Sequence, residues 1–278
     1  MSTFIQRLAT SCRARESLLC VGLDPDQALM AIPDILDFNK GIVDATKDLV
    51  CAYKPNLAFY EAHGSRGIVA LEETVSYIRS VAPSAILLAD GKRGDIGSTS
   101  AHYARALFDV WEFDATTVNG YAGSDAVEPF LAYEDKGVFV WCRSSNAGAG
   151  EFQDVNVTTD RAGRRLFELV AERASAWNRR SNVALVVGAT YPDELATVRA
   201  ICPDMPILVP GVGAQEGRLR ASVVAGMDAL GRNLIVSASR SVLYASRDPA
   251  NFQQAARGAA EDLRRRINGV LEEEGRGW

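Results

Sequence analysis

The sequence predicts a (β/α)8 barrel, also called a TIM barrel, and three observations lead to this fold class. Eight short apolar runs rich in β-forming residues recur along the 278 residues, at a mean spacing of roughly 30 residues. The runs are almost continuously apolar, which is typical of parallel strands buried on both faces. Helical patterns lie between the runs, so strands and helices alternate along the chain.

The predicted strands follow one another in order, with helical patterns between them. Before the third strand, Ile68, Leu71, Val75 and Ile78 step by three or four residues, which places them on one face of a helix. The segment 252–270 repeats this spacing near the end of the chain. The eight predicted strands are residues 18–23, 51–57, 85–89, 115–118, 137–142, 183–187, 206–209 and 234–237.

No low-complexity tract or proline-rich linker divides the chain, so we expect one domain over residues 1–278. An open doubly wound sheet is the alternative architecture. That fold usually carries a glycine-rich turn after its first strand, whereas residues 22–25 here are Gly-Leu-Asp-Pro. A long polar segment, residues 145–161, follows the fifth predicted strand, and it is either a lid over a site or a surface insertion.

Composition argues against several classes of protein. The chain has 30 Lys and Arg against 35 Asp and Glu, a net charge of −5, which argues against a nucleic-acid partner. It has no window of about 18 uninterrupted apolar residues, so we expect neither a membrane span nor secretion. Five cysteines without a Cys-x-x-Cys pair indicate reduced thiols in a cytoplasmic protein. Because the only histidines are His63 and His102, a three-histidine zinc site is excluded.

Charged residues follow the first and third predicted strands, and the second carries Lys54 within it. Chemistry in a barrel of this kind occurs at the carboxyl ends of the strands, and there the sequence has Asp24, Lys54, Asp90, Lys92 and Asp95. Asp90 and Lys92 are two residues apart, which places them on one face of a strand. A lysine between carboxylates keeps its proton, so it suits a proton donor better than a Schiff-base nucleophile. The alternative is a structural network of ion pairs at the rim.

Glycines and an arginine follow the last two predicted strands. The seventh strand continues into residues 210–215, Pro-Gly-Val-Gly-Ala-Gln, and the eighth into residues 237–241, Ser-Ala-Ser-Arg-Ser. Loops in these two places often hold a phosphate in this fold. Gly213 would let backbone N–H groups approach the phosphate oxygens, and Arg240 would add a charged contact. Ordinary turn glycines and a surface arginine are the alternative.

These groups together predict a phosphate-bearing small molecule lying across the mouth of the barrel. Its phosphate would sit at strands seven and eight, and its reacting carbon at the cluster on strand three. Residues 143–146, Arg-Ser-Ser-Asn, end strand five and could hydrogen-bond a polar ring or a carbonyl group. The arrangement needs neither a metal ion nor a redox cofactor.

Residues 90–97, Asp-Gly-Lys-Arg-Gly-Asp-Ile-Gly, resemble the Asp-x-Lys-x-x-Asp motif of the orotidine 5'-phosphate decarboxylase family. This motif alone is shared with sugar-phosphate decarboxylases of the same superfamily, but a set of segments is more specific. The chain length and the long segment after strand five are similar to the longer bacterial (type 2) branch. The further matching segments are residues 22–25, 54–56, 145–146, 210–215 and 239–240.

The resemblance implies a reaction and a set of catalytic residues. The reaction is decarboxylation of orotidine 5'-phosphate to UMP, the last step of pyrimidine nucleotide synthesis, without a cofactor. Lys92 would protonate C6 of the pyrimidine. Asp90 and Asp95 would flank Lys92 and form, with Lys54, an array of alternating charge.

The resemblance also implies the substrate contacts and the partner. Asp24, with Lys54, would bind the ribose hydroxyls, Ser145 would contact the pyrimidine, and Gln215 and Arg240 would hold the phosphate. Family members are homodimers with sites at the interface, so Asp95 and Thr99 would reach into the partner subunit's site.

Two positions depart from the family's pattern, and two other functions stay open. Gly91 stands where a small residue with a Cβ is usual, and Ala147 stands where proline is usual. One alternative is a magnesium-dependent decarboxylase or aldolase of sugar phosphates, which would need an additional carboxylate where Lys54 stands. The other is a non-catalytic barrel that senses a nucleotide.

Overall fold

Parallel strands closed into a barrel form the centre of the molecule. The computed structural model describes residues 2–157, 163–212 and 216–278. Within these ranges eight strands form a closed barrel in which each strand pairs with its neighbours in the sequence, and β1 pairs with β8. The predicted fold class is therefore confirmed. The strands are β1 (Leu19–Leu23), β2 (Ala52–Pro55), β3 (Ile86–Arg93), β4 (Ala115–Val118), β5 (Gly137–Arg143), β6 (Val183–Val187), β7 (Ile207–Pro210) and β8 (Leu234–Ala238).

Helices precede the barrel and connect its strands. They bury one face against the strands, as in the helix between β2 and β3, where Leu71, Val75 and Ile78 are buried. Within the described ranges, no helix combines the length and the apolar character that crossing a bilayer would require. The helices are α1 (Phe4–Arg15), α2 (Ile35–Thr46), α3 (Leu57–Glu61), α4 (Gly64–Val81), α5 (Gly97–Arg105), α6 (Ser124–Leu131), α7 (Gly150–Gln153), α8 (Leu166–Trp177), α9 (Pro192–Ile201), α10 (Glu216–Gly226), α11 (Arg240–Leu243) and α12 (Phe252–Glu273).

Two strands differ in length from their predictions by more than one residue. The second ends at Pro55, because the Asn56 side chain accepts a hydrogen bond from Ala58 N (3.3 Å) and so begins α3 at Leu57. The third continues to Arg93, four residues beyond the predicted end at residue 89, and its pairing with β4 is irregular between Ala89 and Arg93. This irregular segment contains Asp90 and Lys92, two of the charged residues predicted for the site.

The long segment after β5 contains short elements. A 3-10 turn (Ala147–Ala149) leads into α7, and a two-stranded ribbon pairs Asn156–Val157 with Arg164–Arg165. Part of the segment predicted at residues 145–161 lies outside the described residues, which stop at 157 and resume at 163.

The amino end of the barrel is closed by α1. The Phe4 ring packs edge-on against Phe139 of β5, with ring centroids 5.9 Å apart. A Cβ at Gly137 would come within 2.5 Å of the Phe4 ring, so glycine leaves the space that this ring fills. Phe4 and Phe139 are both fully buried.

A second contact at the same end joins two helices to the barrel through Asp114. This carboxylate, 2% exposed, accepts hydrogen bonds from Arg7 of α1 (2.7 Å) and Leu87 N of β3 (2.9 Å). Arg79 of α4 forms an ion pair at 2.7 Å with Oδ2, the oxygen that Leu87 N also contacts, whereas Arg7 contacts Oδ1. Asp114 therefore connects α1, α4 and β3.

Replacing Asp114 by alanine is expected to lower the free energy of unfolding by roughly 2–4 kcal/mol, because two guanidinium groups and a buried amide lose their partner. Equilibrium unfolding in urea, followed by circular dichroism, measures the change. The matched control is Asp135→Ala, because the Asp135 carboxylate is 50% exposed and its ion pair with Lys136 is long, at 3.9 Å. The control should change the stability by less than about 0.5 kcal/mol. Equal effects of the two substitutions would contradict the role assigned to Asp114.

Candidate active site

Charged side chains meet at the carboxyl ends of β2 and β3. The Lys54 ammonium, in a residue 4% exposed, lies 2.8 Å from Asp90 Oδ2. The Lys92 ammonium lies 2.7 Å from Asp90 Oδ1 and is the more accessible, with its side chain 38% exposed. Asp90 therefore bridges a buried cation and one that reaches the solvent.

The surroundings keep the buried side chains of Asp90 and Lys54 ionised. Burial alone would raise the pKa of Asp90, but the Lys54 and Lys92 ammoniums outweigh it and hold that pKa well below its usual range. Burial likewise acts to lower the pKa of Lys54, but Asp90 and Asp24 raise it above the usual value. Both groups are thus charged near neutral pH, and the field at the end of β3 is fixed by the fold.

Asp24 follows β1 and adds a carboxylate beside Lys54. Its Oδ1 atom is buried and has no hydrogen-bond partner among the described residues. The Tyr244 hydroxyl donates to the carbonyl oxygen of Asp24 and accepts a hydrogen bond from Asp26 N (2.8 Å), which holds the turn after β1 in place. An acceptor that is buried and unpaired at a cavity wall is suited to a ligand hydroxyl group.

A cavity of about 630 Å³ opens beside these residues at the mouth of the barrel, a size common for small-molecule sites. Its wall brings together Asp24, Lys54 and Asp90 from the first three strands and Arg240 from the end of β8. Gly211 and neighbouring residues after β7 complete the wall near Arg240. The predicted phosphate ligands Gly213 and Gln215 lie outside the described residues.

Ser145 lies near the ends of three neighbouring strands. A Cβ at Gly188, just after β6, would stand 2.7 Å from Ser145 N, and one at Gly211 would stand 4.0 Å from Ser145 Oγ. Glycine at position 188 therefore allows the loop after β5 to approach β6 closely. Ser145 is exposed on the same face of the barrel as the cavity, near its Gly211 wall.

Arg143 anchors the loop that carries Ser145. Its side chain is 1% exposed, and its guanidinium donates to Gln153 Oε1 (3.0 Å) and to Asp154 Oδ2 (3.1 Å). The same guanidinium lies 4.1 Å from the centroid of the Tyr191 ring, after β6. Gln153 also accepts from Ser144 N (2.8 Å). This buried cation therefore connects the loops after β5 and β6.

The structure does not bring Asp95 or Thr99 to Lys92 within one chain. Asp95 is exposed, and its Oδ1 accepts a hydrogen bond from Ile96 N (2.7 Å). Ile96 itself is 65% exposed, and Thr99 is half-buried on α5. No hydrogen bond or ion pair among residues 2–157, 163–212 and 216–278 joins either side chain to Lys92.

Sequence reasoning missed two residues next to Lys92. Thr117 of β4 donates to Asp90 Oδ1 (2.9 Å), and the Trp141 ring of β5 lies 6.0 Å from Lys92 Nζ. Trp141 is half-buried, and its ring faces this ammonium. The available signal was position, because both residues are near the carboxyl ends of predicted strands, where this fold places its chemistry.

Comparison with known proteins relates this geometry to a family. The family model described as "Orotidine 5'-phosphate decarboxylase / HUMPS family" matches residues 17–256. A protein named orotidine 5'-phosphate decarboxylase from Thermomicrobium roseum is 51% identical over 98% of this chain and 97% of its own length. A protein of the same name from Cellvibrio japonicus is 46% identical over 96% of this chain and 98% of its own.

Solved structures agree with these sequence matches. The structure of Leishmania donovani OMP decarboxylase superimposes with a TM-score of 0.84 and 38% identity, covering 97% of this chain and 98% of that one. Leishmania donovani UMP synthase superimposes with a TM-score of 0.85 and 40% identity, covering 97% of this chain and 57% of that one. The family model spans most of the chain, and the identities of the relatives are high. The chain belongs to the orotidine 5'-phosphate decarboxylase / HUMPS family.

Proposed function

We propose that this protein decarboxylates orotidine 5'-phosphate (OMP) to UMP, the reaction indicated by the names of its relatives. The observation that carries the proposal is the Lys54–Asp90–Lys92 line of ion pairs beside a cavity that ends at Arg240. Lys54, Asp90 and the Arg240 guanidinium line this nucleotide-sized cavity, and the accessible Lys92 ammonium is held next to it by Asp90.

The binding roles follow from the chemistry of each part of the substrate. The unpaired Oδ1 of Asp24 accepts a hydrogen bond from a ribose hydroxyl, beside Lys54. The exposed Arg240 guanidinium binds the phosphate, with Gly213 and Gln215 completing that site. Ser145, at the edge of the Gly211 wall, contacts the pyrimidine ring. Binding of the distant phosphate supplies free energy that organises the reacting end.

The chemical step breaks the bond between C6 and the carboxylate carbon, and CO2 leaves. The electron pair stays on C6 in the plane of the ring, where the π system does not delocalise it. The Lys92 ammonium stabilises this carbanion and then transfers a proton from Nζ to C6, which gives UMP. The neutral amine regains a proton from water. Asp90 holds Lys92 in place and Lys54 balances the charge of Asp90.

The site is completed by a second subunit in this proposal. Asp95 and Thr99 are directed at the partner's Lys92 in a homodimer, which accounts for the exposure of Asp95 and Ile96 on a single chain. The full charge array then alternates through Lys54, Asp90, Lys92 and the carboxylate supplied across the interface.

The first test mixes OMP with the purified protein in EDTA and follows the ultraviolet absorbance of the orotate ring. Loss of this absorbance, with UMP and CO2 as products, is the expected result, because no step of the proposed mechanism uses a metal ion. EDTA-treated protein and protein supplied with magnesium should react at the same rate.

Two other outcomes would replace the proposal. Inactivity in EDTA with activity restored by magnesium, on a keto-sugar phosphate rather than OMP, would establish the sugar-phosphate alternative. Tight binding of UMP without turnover of OMP by a folded protein would establish a nucleotide sensor. Isothermal titration with UMP distinguishes the nucleotide sensor from a protein that does not bind UMP.

A further inference from the structure

The Thr117 hydroxyl makes a hydrogen bond to each residue of the Lys92–Asp90 ion pair. Its hydroxyl oxygen accepts a hydrogen bond from Lys92 N (2.9 Å) and lies 2.9 Å from Asp90 Oδ1. The residue is 1% exposed and belongs to β4, so its position is fixed by the barrel. One buried side chain therefore contacts both the backbone of Lys92 and the carboxylate that holds the Lys92 ammonium.

The backbone of Lys92 needs such a partner. Its φ angle is +45°, in the left-handed region that costs a residue with a side chain roughly 1 kcal/mol or more. The pairing of β3 with β4 is irregular between Ala89 and Arg93, so this stretch departs from the regular pattern of hydrogen bonds between strands. The Thr117 hydroxyl supplies the acceptor that the Lys92 amide requires.

The direction of the two hydrogen bonds is determined by their chemistry. A hydroxyl group has one proton to donate and two lone pairs that accept. Since Lys92 N–H donates to the oxygen, the hydroxyl proton is available for Asp90 Oδ1, which also receives the Lys92 ammonium at 2.7 Å. With Lys54 on Oδ2, three donors fix the orientation of the Asp90 carboxylate.

We propose that Thr117 is a positioning residue that sets the place of the Lys92 ammonium, through the backbone of Lys92 and through Asp90. This inference rests on the proposed function, because it concerns the same proton donor. Thr117 acts through two other groups and not on the substrate, so it should influence the chemical step more than substrate binding.

The test is Thr117→Val, which keeps the shape of the side chain and removes its hydrogen bonds. We expect kcat for OMP to fall about 100-fold with KM changed by less than about twofold, because a misplaced catalytic group costs rate rather than affinity. Loss of a donor to the ionised carboxylate also raises the pKa of Asp90, so the acid limb of the kcat profile should move to higher pH. Thr117→Ser keeps the hydroxyl and should restore most of kcat.

Thr116→Val is the matched control. Thr116 is the neighbouring buried threonine of β4, and its hydroxyl donates to the carbonyl oxygen of Ala89 (3.1 Å) rather than to Asp90. The hydroxyl that this variant loses is equally buried, but it contacts neither Lys92 nor Asp90. The variant should therefore keep kcat within about threefold of the wild-type value. The two variants together separate positioning from general packing of the strand.

The outcomes also separate this inference from the proposed function. If the wild-type protein does not decarboxylate OMP, the proposed function fails first. If it does, and Thr117→Val matches Thr116→Val in kcat or changes KM alone, the positioning role is wrong. If Thr117→Val does not fold, Thr117→Cys decides, because a thiol is a weak donor of similar size. A wild-type kcat in a folded Thr117→Cys protein would overturn the inference.

Discussion

Replacing Lys92 by alanine is expected to lower kcat for OMP decarboxylation by at least about 10⁴-fold, because one substitution removes both the proton donor and the charge that stabilises the carbanion. The ion pair of Lys54 with Asp90 and the cavity wall at Arg240 are left in place. Binding of UMP should therefore persist in the variant. Single-turnover assays and titration with UMP measure the two quantities separately.

A matched substitution tests whether the loss of kcat is specific to Lys92. Lys47 is also partly exposed, with its side chain at 39%, and pairs with Asp44 on the surface of the molecule. Lys47→Ala should keep the wild-type kcat. A Lys92→Ala protein that is folded, binds UMP and retains more than a tenth of kcat would show that another group protonates C6.

Mixing two inactive proteins, Lys92→Ala and Asp95→Ala, is expected to restore activity. In a symmetric dimer with shared sites, a mixed dimer has one site with both residues intact and one with neither. If subunits exchange at random, half of the dimers are mixed, so activity should reach about a quarter of the wild-type value per subunit. The assay follows OMP absorbance after the proteins are incubated together under conditions that allow exchange.

Exchange itself is verified with differently tagged subunits that are purified in tandem. Mixing Lys92→Ala with Asp90→Ala is the matched control, because both residues then belong to the same chain of a site and every mixed site lacks one of them. Rescue in this control, or no rescue in a proven Lys92→Ala and Asp95→Ala mixed dimer, would contradict a site shared between subunits.

Much of the candidate site could be placed from the sequence because strand ends in this fold converge. Asp24 and Asp90 follow two predicted strands, Lys54 lies within a third, and closing the barrel brings all three to one cavity. The position of each apolar run was enough to predict that these three side chains meet. The same reasoning placed Arg240 on the wall of this cavity, through β8.

The rest depends on contacts that no local pattern specifies. The left-handed backbone at Lys92 is supported by Thr117, a threonine that looks like an ordinary β-branched strand residue in the sequence. The apolar pattern of residues 51–57 predicts a longer strand than the structure has. The cap at Asn56 begins a helix at Leu57 and so ends β2 before the apolar pattern does. Asp95 lies apart from Lys92 in a single chain, so the role proposed for it requires a second chain, which no local pattern in the sequence specifies.

The contacts that close the barrel at its amino end have an evolutionary consequence. Phe4 fills the space left by Gly137, and Asp114 joins α1 and α4 to β3, all at the end opposite to Lys92. Mutations that alter the loops around the cavity therefore leave these contacts intact. Selection can change the substrate preference and the stability of this chain through largely separate residues, so new specificities can arise without first loosening the scaffold.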